Sequence, residues 1–179
     1  MAINLTKGQR VDVGLKNLVV ALGWSGADLD VSAFPLGSSG QIPAEDFFVF
    51  YNNLISKDGA VTHSGDDTSG GQGDRESITV ELERLDPRIE QIVFVATIHD
   101  ADLTGENFGQ VRNSYIRIYN TENSEEICKY ELDEDYSVET AVEFGRIYKR
   151  NGAWRFEAIG NGASGGLSTF VKKYASSWA

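Results

Sequence analysis

Short apolar segments that alternate with polar residues recur along most of this chain, separated by Gly, Asn and Asp. The segment Asp28 to Phe34 shows the pattern most clearly, with Leu29, Val31 and Ala33 at every second position. A period of two is that of a β-strand, because successive side chains point to opposite faces of the sheet. The chain is therefore expected to be mainly β.

About ten strands are predicted from these segments. They cover Leu18 to Leu22, Asp28 to Phe34, Phe47 to Tyr51, Val61 to His63, Ser77 to Leu82, Ile92 to Ile98, Tyr115 to Tyr119, Glu126 to Leu132, Val142 to Tyr148 and Trp154 to Ile159. Arg150-Asn151-Gly152 predicts a hairpin turn, since Asn-Gly tolerates positive φ. A helical pattern is found at Leu167 to Tyr174. Many short strands followed by one helix favour a β-sandwich with a short C-terminal helix.

Length and charge restrict the function. The 179 residues suit a single domain, 1–179, and 27 acidic against 16 basic residues leave a formal charge of -11. That field disfavours nucleic acid and anionic membrane surfaces, which bind clustered Lys and Arg. Cys128 is the single cysteine, so no internal disulfide can form. No secretory signal is visible, and no apolar run is long enough for direct membrane insertion, so a cytoplasmic location is expected.

Part of the negative charge lies in one predicted strand. Asp28 and Asp30 are two residues apart, which places both carboxylates on one face with Cα atoms roughly 6.6 Å apart. Two adjacent anions repel each other unless water or a cation screens them. A solvated strand face and a cation site both remain open.

A second group of acids lies in the Gly-rich segment between His63 and Ser77, which contains Asp66, Asp67, Asp74 and Glu76. Glycine lets the backbone turn tightly enough to direct carbonyl groups inward, and calcium takes 6 to 8 oxygen ligands from carboxylates, carbonyls and water. The spacing does not match an EF-hand loop. The two groups together could supply a calcium site, and a flexible acidic loop is the alternative.

Two enzyme-like motifs overlap near the C-terminus, between Gly160 and Gly166. Gly160-x-Gly162-x-x-Gly165 matches a dinucleotide fingerprint, but too little chain follows for the rest of that fold. Ser164 matches a nucleophile elbow, yet no histidine follows it. A tight turn before the last helix is the simpler interpretation. No catalytic residue is predicted, and the chain is expected not to be an enzyme.

Several segments in a fixed order resemble the TerD family of tellurium-resistance and calcium-binding stress proteins. They are Gly23-Trp24, Asp28 to Phe34, Asp46 to Asn53, His63 to Asp66, Ile92 to Asp100, Asn107 to Val111, Glu139 to Ala141 and Gly165 to Leu167. The resemblance implies a β-sandwich that carries calcium at one end, between the Asp-Leu-Asp strand and the Gly/Asp loop. The metal ligands it implies are Asp28, Asp30, Asp66, Asp67, Asp74 and Glu76, with Asp100 as a further candidate.

The sequence departs from the family at Arg75, where an acid is usual, and the loop is one residue short. One or two Ca2+ ions are therefore expected. The resemblance also implies a role in stress response with protein partners of a tellurite-resistance system, a membrane protein among them. A calcium-independent scaffold or assembly protein with a solvated acidic loop is the alternative function.

Overall fold

The computed structural model describes residues 3–14, 17–25, 29–64, 74–98, 101–105, 107–122, 125–131 and 139–176. Within these ranges the strands form two sheets. One sheet has six strands and the other has five. The prediction of a mainly β sandwich with a short C-terminal helix is confirmed.

The strands and helices have the following bounds: β1 Ile3–Leu5, β2 Arg10–Gly14, β3 Leu18–Ser25, β4 Leu29–Leu36, β5 Val61–His63, β6 Asp74–Val80, β7 Gln91–Ile98, α1 Ala101–Thr104, β8 Arg112–Asn120, β9 Glu126–Glu131, β10 Ala141–Arg150, β11 Ala153–Ala163 and α2 Leu167–Tyr174. Short 3-10 turns lie at Glu45–Phe47, Leu82–Arg84 and Phe108–Gln110. The six-stranded sheet has the order β1-β9-β8-β3-β6-β5, and the five-stranded sheet has the order β2-β11-β10-β7-β4. Nine of the ten predicted strands overlap an observed one in the described part, and α2 has the predicted bounds.

The strand predicted at Phe47 to Tyr51 is wrong. Glu45–Phe47 is a 3-10 turn, and only isolated bridges follow, Ala33 with Val49 and Phe50 with Asn53. The backbone groups of Phe50 and Asn53 exchange two hydrogen bonds of 3.1 and 3.0 Å, so the chain reverses there. Its apolar side chains pack against the five-stranded sheet: the rings of Phe48 and of Phe34 in β4 are stacked 4.6 Å apart.

Two strands near the N-terminus were not predicted. β1 has three residues and pairs in parallel with β9, while β2 lies at one edge of the five-stranded sheet beside β11. Most of their residues are exposed or half-buried, so neither strand carries a strong apolar pattern. Such short edge strands form because a neighbouring strand offers hydrogen-bonding groups, which a local pattern does not reveal.

The hairpin between β10 and β11 has the predicted turn, with Asn151 at φ 53° and Gly152 at φ 79°. Beyond it, β11 continues to Ala163, so the turn before α2 is limited to residues 164–166 and is shorter than predicted. The Thr140 hydroxyl holds this turn, since it donates to the Ser164 carbonyl and accepts from the Gly166 amide, both at 2.9 Å.

The core lies between the two sheets, and a second layer lies where α2 covers the five-stranded sheet. Phe170 and Tyr174 are the buried residues of α2, and the Tyr174 ring lies 5.4 Å from that of Phe34. Cys128 is buried in β9, and burial raises the pKa of its thiol to about 12, as expected for a small apolar core residue. Among the described residues, none of the helices has the length and hydropathy required to cross a bilayer.

Candidate metal centre

One end of the sandwich gathers the strand ends that flank the predicted ligands. β4 begins at Leu29, which is the cross-strand partner of Ile98 at the end of β7. In the other sheet, β6 begins at Asp74 opposite Gly23 of β3. A hydrogen bond between the Val31 amide and Glu76 places the beginnings of β4 and β6 at the same end of the sandwich.

Two buried side chains join the sheets at this end by binding one residue of β4. The Val31 amide donates a hydrogen bond to Glu76 Oε1 at 3.3 Å, and the Val31 carbonyl lies 3.0 Å from His63 Nε2. His63 Nε2 also lies 3.0 Å from Glu76 Oε1. Because both of these oxygens only accept hydrogen bonds, Nε2 carries the proton and donates it. The two side chains thus take the place of a neighbouring strand for Val31.

β4 is an edge strand of its sheet, and its outer edge is covered in its middle part, at Val31 and Ala33. His63 and Glu76 bind the backbone of Val31. Ala33 exchanges hydrogen bonds of 2.8 and 3.1 Å with Val49. Pro35 has no amide hydrogen that would need a partner. A covered edge of this kind resists pairing with another chain. It also holds the strand that carries Asp30 in a defined position.

The position of Glu76 follows from the alternation of β6. Glu76, Ile78 and Val80 are buried at every second position, while Ser77 and Thr79 between them are half-buried. His63 follows the buried Val61 in β5 in the same way. A carboxylate and an imidazole therefore occupy inward-facing positions, where a buried polar group needs hydrogen-bonding partners.

Two of the predicted ligands have described side chains, and both are buried. Asp30 is 4% exposed and Glu76 is 2% exposed. Asp30 is the cross-strand partner of Thr97 on β7. For Asp74 the backbone is described at the start of β6 but the side chain is not, and Asp28, Asp66, Asp67 and Asp100 lie outside the described residues. The predicted ligand set therefore stays a prediction.

The described side chains do not form a complete metal site by themselves. Within the described ranges, no group of three or more Asp, Glu, His or Cys side chains is arranged to hold an ion. Asp30 and Glu76 fit the chemistry of a hard cation, because carboxylate oxygens are the ligands that calcium prefers. The other predicted ligands, namely Asp28, Asp66, Asp67, Asp74 and Asp100, would have to supply the remaining oxygens of a calcium site.

His63 is a residue of this centre that the sequence interpretation missed. Its contact with Glu76 and Val31 gives it a structural role. The sequence does contain a signal for this role. His63 lies two residues after Val61, and Glu76 lies two residues before Ile78, so each occupies the same face of its strand as an apolar residue.

The enzyme-like motifs near the C-terminus have a structural explanation. Gly160 and Gly162 lie in β11, and Gly162 pairs with Val142 of the antiparallel neighbour β10. A dinucleotide site of the fingerprint type needs a parallel β-α-β unit. The match is therefore a coincidence of glycine spacing in a strand and a turn.

The arrangement defines a class of protein: a two-sheet β-sandwich that has the buried acids Asp30 and Glu76 at one end, with a Gly/Asp-rich segment between them in the sequence. The TerD domain model matches residues 1–174. The chain is 43% identical to the tellurium resistance protein TerD of Serratia marcescens, an alignment that covers 97% of each chain. It is 44% identical to general stress protein 16U of Bacillus subtilis, over 97% of each. This chain belongs to the TerD family of tellurium-resistance and stress-response proteins.

A solved structure has the same fold. The crystal structure of a homologue of the telluride resistance protein TerD from Streptomyces coelicolor superposes with a TM-score of 0.71 at 24% identity, covering 88% of this chain and 95% of that one. At this identity the likeness concerns the sandwich itself.

Proposed function

We propose that this member of the TerD family is a calcium-binding, non-enzymatic stress-response module. Ca2+ would be held between the Asp28-Leu29-Asp30 strand and the Gly/Asp loop that ends at Glu76. The observation that supports this most is the 3.3 Å hydrogen bond from the Val31 amide to Glu76 Oε1, which fastens the strand to the end of the loop. Carboxylates from two segments held close together repel each other, and a divalent cation between them removes that repulsion.

The number of ions depends on the loop. Arg75 stands at a position where the family usually has an acid, and it adds a positive charge adjacent in the sequence to Glu76. We therefore propose one ion with Asp28 and Asp30 among its ligands, and a second, weaker position in the loop. Two ions would bring the formal charge of -11 to about -7, and one to about -9.

A calcium-independent scaffold is the second candidate, and one observation favours it. Glu76 already accepts hydrogen bonds from the Val31 amide and from His63 within the described residues. A carboxylate with such partners can be stable when buried without a metal. In a scaffold, the remaining acids of the loop would be a solvated surface.

Calorimetric titration of EGTA-treated protein with calcium chloride distinguishes the two. A calcium module gives a saturable binding isotherm, which the double variant Asp28→Asn, Asp66→Asn loses. The matched control is Asp12→Asn, which changes an exposed aspartate of β2 paired with Arg155. If the untreated and EGTA-treated proteins both show no binding heat and no change in melting temperature, the calcium module is wrong and the scaffold stands.

In the cell, we propose that the protein acts through protein partners of a stress and tellurite-resistance system, including a membrane protein, and that it is located in the cytoplasm. Membership of the TerD family supports a role in a system of this kind. Co-purification from cells exposed to tellurite, with and without EGTA in the lysis buffer, tests whether calcium controls the association.

A further inference from the structure

A cavity outside the metal centre opens between the segment 44–57 and α2. Its volume is about 770 Å3, within the range of ligand sites. Phe48, Phe50 and Val171 form its apolar part, while Glu45 and Asp46 contribute carboxylates and Lys57 an ammonium group. We call this cavity the aromatic groove.

A stack of three aromatic rings leads from the core to the aromatic groove. The rings of Phe34 and Phe48 are 4.6 Å apart with an interplanar angle of 23°, and those of Phe48 and Phe50 are 4.5 Å apart at 9°. Phe34 is fully buried, whereas Phe50 is half-buried at the groove. The faces of aromatic rings carry negative potential and attract cations. The groove therefore combines an aromatic face with carboxylates.

Hydrogen bonds within the loop fix the shape of the groove. The Lys57 amide donates to the Asp46 carbonyl at 2.9 Å and closes the loop at its base. The Asn53 side-chain amide donates to the Phe48 carbonyl at 2.7 Å, across the tight turn between Phe50 and Asn53. A site that is already formed loses little conformational entropy when a ligand binds.

The same loop exposes apolar side chains next to the groove. Tyr51 is 42% exposed, Leu54 41% and Ile55 54%. The Tyr51 ring contacts that of Phe50 in the groove, with ring centres 5.3 Å apart. Exposed apolar side chains beside a cavity are typical of protein-binding sites. A small free cation would leave them uncovered, so a partner segment that brings apolar residues as well as a charge fits better.

The charges at the groove indicate the sign of the partner. Lys57 Nζ lies 3.8 Å from Asp46 Oδ2, at the long end of an ion pair, and both side chains are more than half exposed. Such a pair contributes little and is easily replaced by a better cation. A guanidinium group is preferred over an ammonium group here, because it is planar, stacks on a ring and binds a carboxylate with two hydrogen bonds.

We propose that the aromatic groove binds an arginine side chain that a protein partner presents between apolar residues. The guanidinium stacks on Phe50 and pairs with Asp46 or Glu45, and the flanking apolar side chains cover Tyr51, Leu54 and Ile55. The chain shows the stacking geometry elsewhere: the Arg117 and Arg146 guanidinium carbons lie 4.4 Å from the ring centres of Tyr119 and Tyr148.

The test uses the peptide acetyl-Leu-Arg-Leu-amide and a second peptide with citrulline in place of arginine, which keeps the shape and removes the charge. Amide chemical shifts of the full chain are followed during titration to millimolar peptide. We expect saturable shifts at residues 45–57 and in α2, and roughly tenfold weaker binding of the citrulline peptide. Equal binding of the two peptides, shifts confined to other surfaces, or no shifts would overturn the proposal.

Variants locate the contact. Phe50→Leu keeps the apolar volume and removes the ring face, and Asp46→Asn removes a carboxylate; each should weaken binding of the arginine peptide about tenfold. Lys57→Gln removes a competing cation and should strengthen binding of the arginine peptide severalfold. A purely structural role of the loop does not produce this effect. Glu83→Gln, at an exposed site away from the groove, is the control. If Phe50→Leu does not fold, Asp46→Asn and Lys57→Gln still decide, and unchanged affinity in both contradicts the proposal.

Discussion

Two buried glutamates in this protein have nearly the same exposure but different surroundings. Glu76 is 2% exposed and Glu143 is 3% exposed. Glu76 lies at the candidate metal centre and contacts His63 and the Val31 amide, thereby joining the two sheets. Glu143 lies in β10, accepts a hydrogen bond from the Tyr174 hydroxyl and has Lys173 Nζ 3.5 Å away, so it fastens α2 to the five-stranded sheet. A buried carboxylate therefore does not by itself indicate a metal site, and its neighbours decide its role.

The largest effect is expected for Glu76→Ala. The change leaves the Val31 amide without its acceptor and His63 without its carboxylate inside the core, so the free energy of unfolding should fall by about 3 kcal/mol. Urea denaturation in EGTA measures this without a contribution from calcium. The exposed control Glu83→Ala should change stability by less than about 0.5 kcal/mol. A loss no larger than that of the control would show that the contact between the sheets is unimportant.

Calcium should stabilise the protein by an amount that distinguishes the two glutamates. A ligand at about 100 times its dissociation constant raises the free energy of unfolding by about 2.7 kcal/mol. Glu76→Gln should reduce this gain, because it changes the end of the loop, whereas Glu143→Gln should keep it. Melting curves with calcium chloride and with EGTA provide the measurement. If the two variants lose the calcium response equally, the functional distinction between these residues is wrong.

Glu143→Ala should have a smaller and more local effect, a loss of about 2 kcal/mol, because only the Tyr174 hydroxyl is left without its partner and Lys173 is half exposed. Amide hydrogen exchange should accelerate in α2 and remain slow in β4 and β6. Glu76→Ala should show the reverse distribution. Uniform acceleration in both variants would contradict separate roles.

Tyr174→Phe should have the smallest effect, about 1 kcal/mol near neutral pH. Burial, and next the hydrogen bond to Glu143, raise the pKa of Tyr174 above its usual value of 10.0. The folded state therefore holds this proton more tightly than the unfolded state, and the stabilisation is complete below pH 10 and declines as the pH rises above it. The variant should lose stability less steeply above pH 10 than the native protein does. Tyr51→Phe, at an exposed position, is the control, and a slope equal to the native one in Tyr174→Phe would refute the assignment.

Much of the fold was predictable because strand periodicity is a local property. The alternation in Asp28 to Phe34 and the apolar run Ile92 to Ile98 correspond to β4 and β7, and the Asn-Gly turn joins β10 to β11. The segment Phe47 to Tyr51 was misassigned because its apolar residues are buried by packing against a face of the five-stranded sheet and not by pairing as a strand within it. Burial alone does not distinguish the two.

The candidate site was predictable only in part. Glu76 was proposed as a ligand from its place in an acidic loop, while its inward-facing position in β6 was missed because the predicted strand began at Ser77. Glu143 was not singled out. The pairing register shifts between Glu143 and Gly145, which breaks the period of two at that point. A Cβ at Gly145 would lie 2.8 Å from the Glu157 carbonyl, so the chain needs glycine at this shift.

The amino-acid sequence alone determined the strand class, the C-terminal helix, the acidic character and membership of the TerD family, because each depends on residue type and order along the chain. The tertiary structure alone decided which side chains meet. Val31 and Glu76 are 45 residues apart in the chain, and Glu143 and Tyr174 are 31 apart. Contacts across such separations depend on sheet order and register, which place one buried carboxylate at the candidate metal centre and the other under a helix.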